Sequence, residues 1–189
     1  MIKKNFAFAA WACIINAALV VPIVLLSFYS TAHTDSYSLL IALEMVVHIV
    51  YIILFVVMYS HVKYLLNDYF STSSLDSLLH IFIGASIAIS ALTIIAMPFP
   101  EIQAAVSLAV LALMIPYGIV FTVLGIKLLN LEIALHWKNA LAALMIIGGV
   151  CTATIILLPV SLLASLAGNI ILAVIFFDTA SRSQDGFYG

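Results

Sequence analysis

The sequence predicts an all-α, polytopic transmembrane helical bundle of six spans, with both termini on the cytoplasmic side. Three observations lead there. The chain is 66% hydrophobic and only 7% charged, against about 25% charged residues in soluble domains. Its apolar residues gather into runs of membrane-crossing length, and its basic residues gather in alternate connections between those runs. A soluble domain of 189 residues with so few charged side chains could not cover its own apolar surface. In a bilayer the difficulty disappears, because lipid solvates the outward faces.

The runs cover 6–28, 39–59, 78–97, 102–129, 140–157 and 161–177, within one integral membrane domain over 1–189. Each is near or above the roughly 17–25 residues that cross hydrocarbon as a helix. Lys3 and Lys4 precede the first run, and Ser30-Thr31-Ala32 loosely resembles a cleavage site. The run itself is longer than the roughly 7–15 residues of a signal-peptide core, so it reads as a retained span. The fourth run is the longest and must tilt, kink at Pro116, or extend past the bilayer. Only Leu158, Pro159 and Val160 separate the last two. A continuous helix from Ala140 to Phe177 would be on the order of 57 Å long, against a hydrocarbon core of roughly 30 Å. Because proline removes a donor and disfavours helix at the residue before it, a tight turn is expected around Leu157–Ser161. A re-entrant hairpin with the same endpoints is the alternative.

Charge orients the runs. With an inside N-terminus the cytoplasmic segments are 1–5, 60–77, 130–139 and 178–189. Lys3, Lys4, Lys63, Lys127, Lys138 and Arg182 all fall in or beside them, while 29–38 and 98–101 carry Asp35 and Glu101 but no Lys or Arg. That is the positive-inside asymmetry, and it fits a prokaryotic plasma (inner) membrane. Ser60–Ser77 mixes aromatic, aliphatic and polar residues and reads as a short interfacial helix followed by a Ser/Thr linker. Trp137 suits the headgroup level.

Several function classes are disfavoured. A net charge of −2 offers no basic surface to nucleic acid. Cys13 and Cys151 lie in apolar runs without a CxxC spacing and read as packing residues. There is no HExxH, no GxSxG, no phosphate loop, and no aspartate-rich pair beyond the widely spaced Asp68 and Asp76, so no catalytic residues, metal or cofactor are expected. Of His33, His48, His61, His80 and His136, only His48 lies at mid-depth, which leaves bis-histidine haem without a second ligand. His61, His80 and His136 with Glu132 are a conceivable zinc cluster, but snorkelling interfacial histidines are the expected reading.

Span two carries the sharpest chemical signal. Glu44 and His48 are one helical turn apart and share a face. Tyr37, Glu44, His48, Tyr51, Phe55 and Tyr59 continue it as a polar-aromatic stripe, opposite a Val/Ile/Leu face. An intramembrane carboxyl costs about 2.5–3.5 kcal/mol on insertion scales, which aliphatic neighbours at roughly −0.3 to −0.6 kcal/mol each can offset. Glu44 should therefore face the bundle. The functional reading is a ligand-binding or proton-linked site; the structural one is an interhelical hydrogen bond that fixes rotation and register. Asn16, Ser90, Tyr117, Thr152 and Asn169 fall at similar depth and could line a polar cavity. Ser90 and Thr152 are expected to bond their own helix carbonyls. Asn16 and Asn169 are expected to bond each other if the first and last spans are neighbours, because an unpaired amide in lipid costs several kcal/mol. Small residues four apart (Ala9/Cys13/Ala17, Gly84/Ala88, Gly149/Ala153, Ala164/Gly168) allow close helix approach within the bundle.

The first functional expectation is a small-solute or ion transport or binding component using the span-two site. The alternative is a non-catalytic membrane interaction protein: an assembly factor, regulator or immunity protein. An intramembrane enzyme or haem-linked redox protein comes third. The partners expected are the lipid bilayer, a small-molecule or ion ligand, and a homo-oligomeric or membrane-protein partner.

Overall fold

In the computed structural model, residues 5–32 and 37–185 are described, without the side chains of 27–32, 37–38 and 183–185. Lys3, Lys4, His33 and Asp35 lie outside the described residues, as does the side chain of Tyr37. The chain is all-helical: α1 Phe6–Ala32, α2 Tyr37–Tyr64, α3 Asp76–Ala96, α4 Pro100–Asn130, α5 Lys138–Ala153 and α6 Leu158–Asp185. Five of these helices are long and apolar enough to cross a membrane, which makes this a helical membrane bundle. The exception is α5, with 16 residues.

Each helix packs on the next in the chain, and α6 packs back on α1, so the six form a closed ring. The lipid-type face of α2 points outward, with Leu43, Val46, Ile49 and Ile53 exposed, while Phe55 and Tyr59 point inward and are buried. The described basic residues, Lys63, Lys127, Lys138 and Arg182, all fall at or near the helix termini on one side of the ring, here called the basic end. Lys138 caps the C-terminus of α4 by donating to the carbonyls of Leu129 and Leu131, groups that no helix can satisfy internally.

The boundaries differ from the sequence reading most at two connections. The expected interfacial helix over Ser60–Ser77 is instead a continuation of α2 that widens into a π-helical turn at Leu65–Tyr69. There Leu65 and Leu66 are buried under the ring, and a linker follows with Ser71 at φ 50°. The expected fifth span ends at Ala153 rather than Leu157, and its turn is Thr154–Leu157 rather than Leu157–Ser161. Pro159 does not break the chain between the helices; it lies in the first turn of α6, where its missing N–H would have had no helical partner.

The closest helix crossing is between α4 and α5. A Cβ on Gly118 would lie 2.5 Å from the backbone of both Gly149 and Ala153, and one on Gly125 would lie 2.8 Å from the Ala142 carbonyl. Gly149 faces Gly118 and Thr122 in the same way. By contrast, the Gly84/Ala88 pair is exposed, and a Cβ on Gly84 would meet no neighbouring element within 4 Å.

Candidate functional site

The interior of the ring is built on Phe82, 1% exposed. Its ring stacks on Tyr117 at 4.9 Å and on Phe121 at 4.8 Å, and meets Phe55 at 5.4 Å and Tyr59 at 4.9 Å. Residues from α2, α3 and α4 thus close the centre with aromatic contacts of favourable geometry. Two small cavities adjoin Tyr59. One, of about 20 Å³, is lined by Leu66, Leu79, Leu124, Leu141 and Leu172 among others. The second, of about 10 Å³, has Phe121, Met145, Ser165 and Asn169 on its wall. A single water needs about 10–15 Å³ on this measure, so neither admits an organic solute.

The mid-depth polar groups are tied to one another. Asn16, 0% exposed, donates its amide to the Tyr51 carbonyl at 2.9 Å. Asn169, 4% exposed, donates to the Asn16 side-chain oxygen at 3.0 Å. The condition for the asparagines to meet is fulfilled, because α6 returns to α1, and they clasp α1, α2 and α6 together. Tyr117 bonds Ser86, not Ser90: the hydroxyls are 3.2 Å apart while the Ser86 hydroxyl reaches the Phe82 carbonyl at 2.9 Å. A serine has one hydroxyl proton, so when that proton goes to Phe82 the tyrosine is the donor between them. Counting depth from the membrane edge missed Ser86; counting helix faces finds it, since Leu79, Phe82 and Ser86 follow one buried face. Thr152 bonds the Gly148 carbonyl at 2.8 Å and also meets Ser161 on α6.

Glu44 is 7% exposed and so faces the bundle. His48, half-buried, donates from Nδ1 to the Glu44 backbone carbonyl at 3.1 Å, which leaves Nε2 as the imidazole's free acceptor when the ring is neutral. Tyr51 is half-buried one turn below. The inward stripe is therefore real from Glu44 to Tyr59, and what separates it into two parts is chemistry: Glu44/His48 above, Asn16/Tyr51/Asn169 below.

The other described histidines are dispersed. His61 packs among Phe6, Tyr64 and Phe176 and donates to Val57. His80 accepts a hydrogen bond from Lys63 at 3.1 Å, and Lys63 also pairs with Asp76 at 3.5 Å. Asn67 donates to both Asp76 oxygens, so α2, its π-helical turn and α3 are latched together at the basic end. His136 lies edge-on to Trp137. Among the described residues, no three of His, Cys, Asp and Glu gather as a metal group.

The asparagine clasp makes a graded prediction. Asn16→Ala removes two bonds and leaves the Asn169 amide bare, whereas Asn169→Ala removes one. Interhelical hydrogen bonds in membranes average about 0.6 kcal/mol and reach about 1.7. The expected losses are roughly 2 kcal/mol for Asn16→Ala and about half that for Asn169→Ala, read by chemical unfolding in mixed micelles. Equal losses would mean the two amides do not form the chain described.

Comparison with protein-family models, curated proteins and solved structures returns no match.

Proposed function

We propose that this protein acts as a non-catalytic membrane interaction protein, an assembly factor, regulator or immunity-type protein, in a prokaryotic plasma membrane with both termini cytoplasmic. The observation behind this reading is the filled interior: Phe55, Tyr59, Phe82, Tyr117 and Phe121 occupy the ring centre, and the adjoining cavities hold a water or two at most. Among the described residues, a core so filled offers no passage to a solute, so activity falls to the outward helix faces, against lipid, another copy of the chain, or a membrane-protein partner. A second reading, a small-solute or ion transport or binding component, is favoured by one observation: the buried carboxyl of Glu44 one turn from His48. Ionisable groups at such depth are functional by default.

One reconstitution separates the two. Purified protein in proteoliposomes is assayed for proton, alkali-cation and small-solute flux, with Glu44→Gln alongside. Flux equal to that of empty liposomes in both preparations is the expected result. Saturable flux in the wild type that Glu44→Gln abolishes would transfer the conclusion to the transport reading. Photo-crosslinkers at Leu43, Ile53 and Ile119 in native membranes complete the test, with a discrete protein adduct expected from at least one face.

A further inference from the structure

The turn joining α5 to α6 is unlike a water-facing loop. Thr154–Leu157 presents Ile156 at 87% exposure, with Leu157 and, in the next turns, Val160, Leu162 and Leu163 also exposed. Between Lys138 and Asp178 there is no charged residue. The turn is also short of the far side. Sixteen residues carry α5 about 24 Å from its Lys138 end, against roughly 30 Å of hydrocarbon. Its neighbour α4 meets Ala153 at Gly118 and continues through Pro100–Tyr117, about 27 Å of further helix. Even at a tilt of about 40°, that leaves the turn roughly 20 Å below the start of α4.

Hydrocarbon tolerates a break in a helix where the freed backbone groups are satisfied within the protein, and most donors of this turn are, the amides of Leu157 and Val160 being the exceptions. The amides of Thr154, Ile155, Ile156, Leu158 and Ser161 donate to the carbonyls of Val150, Thr152, Thr154, Ile155 and Leu157. Pro159 has no amide proton to satisfy. The Thr154 hydroxyl turns back onto Val150 and Cys151, and that of Thr152 onto Gly148. Closing so tight a turn places Ile155 at φ 59°, a left-handed conformation that β-branched residues rarely adopt.

We propose that α5 and α6 form a re-entrant hairpin whose tip stops inside the hydrocarbon of the far leaflet. Lipid acyl chains occupy the recess above it, covering Ile156, Leu157, Leu163 and the free flank of α4. The inference concerns membrane placement and does not depend on the interaction role.

The test uses the full chain in liposomes with Cys13→Ala and Cys151→Ala, and single thiols at Ile156→Cys or Glu101→Cys, the latter at the start of α4. A membrane-impermeant maleimide requires a thiol in water. Ile156→Cys is expected to react at least ten-fold more slowly than Glu101→Cys, with the two equalised in SDS. A fluorophore at position 156 is expected to be quenched by lipids brominated deep in the acyl chain. Equal maleimide rates before SDS would overturn the proposal by placing the tip in water. Slow labelling without quenching by bromolipid would overturn it equally, because protein rather than lipid would then cover the tip.

Discussion

Gly118→Ala is expected to destabilise the bundle by about 3 kcal/mol, at the upper end of what overpacking costs. The added methyl would sit 2.5 Å from the Gly149 carbonyl oxygen and 2.5 Å from the Ala153 amide nitrogen. Both obstacles are backbone, so no rotamer change relieves them; α4 and α5 must move apart along the crossing. Gly149→Ala meets Thr122 and Gly118 across the same contact and should behave alike, while Gly125→Ala, against Ala142 and Ile146, should be somewhat milder. Gly84→Ala is the control. The added Cβ would meet no neighbouring element within 4 Å, and replacing a helical glycine gains up to about 1 kcal/mol of intrinsic propensity. Unfolding midpoints in mixed micelles read all four. A neutral Gly118→Ala beside a neutral Gly84→Ala would mean that the α4/α5 crossing is not as close as described.

The contrast between Gly118 and Gly84 marks where sequence reasoning reaches and where it stops. Five helices of crossing length were legible because hydrocarbon length and apolar content are properties of a segment by itself. The inward stripe on α2 was legible for the same reason: Glu44, Tyr51, Phe55 and Tyr59 share one face of one helix, and a carboxyl dictates which way that face turns. Pairings between helices are different. Spacing of four selects Gly84/Ala88 as readily as Gly149/Ala153, yet only the second has a partner, and Gly118 and Thr122, four apart on α4, supply it. The Asn16–Asn169 bond was legible only conditionally, since nothing local says that α6 closes on α1. The hairpin tip was misplaced by three to four residues because proline reads as a breaker in sequence and as a helix starter in its first turn; only the position of Thr154–Leu157 decides between them. Ser86, Thr152 and Ser161 show how polar partners are chosen by face and crossing point rather than by depth.

Phe82→Ala is the substitution expected to do most to the ring interior, and it also probes what that interior is for. Truncating a buried phenylalanine costs about 3–5 kcal/mol in water-soluble cores. In a bilayer the transfer part shrinks, because lipid is as apolar as the protein interior, and the packing part remains. Here the packing part is large: one ring contacts Phe55, Tyr59, Tyr117 and Phe121 at centroid distances of 4.8–5.4 Å, and these come from the two helices that flank its own. A loss of about 3 kcal/mol is expected. Phe82→Leu, which refills much of the volume without the stacked faces, should recover most of it and leave a deficit of roughly 1 kcal/mol, the worth of aromatic geometry beyond area. A Phe82→Leu/Tyr117→Leu double-mutant cycle then isolates the stacked pair, with a coupling of about 0.5–1.5 kcal/mol expected. The same variant bears on function. An interior that exists to hold helix faces in register should lose stability without gaining flux, since Tyr59, Phe121 and the leucines around the larger cavity still fill the path. An interior that is a closed gate should leak once its largest plug is removed, and a proton or cation current from Phe82→Ala liposomes at unchanged fold would move the protein from the interaction class to the transport class.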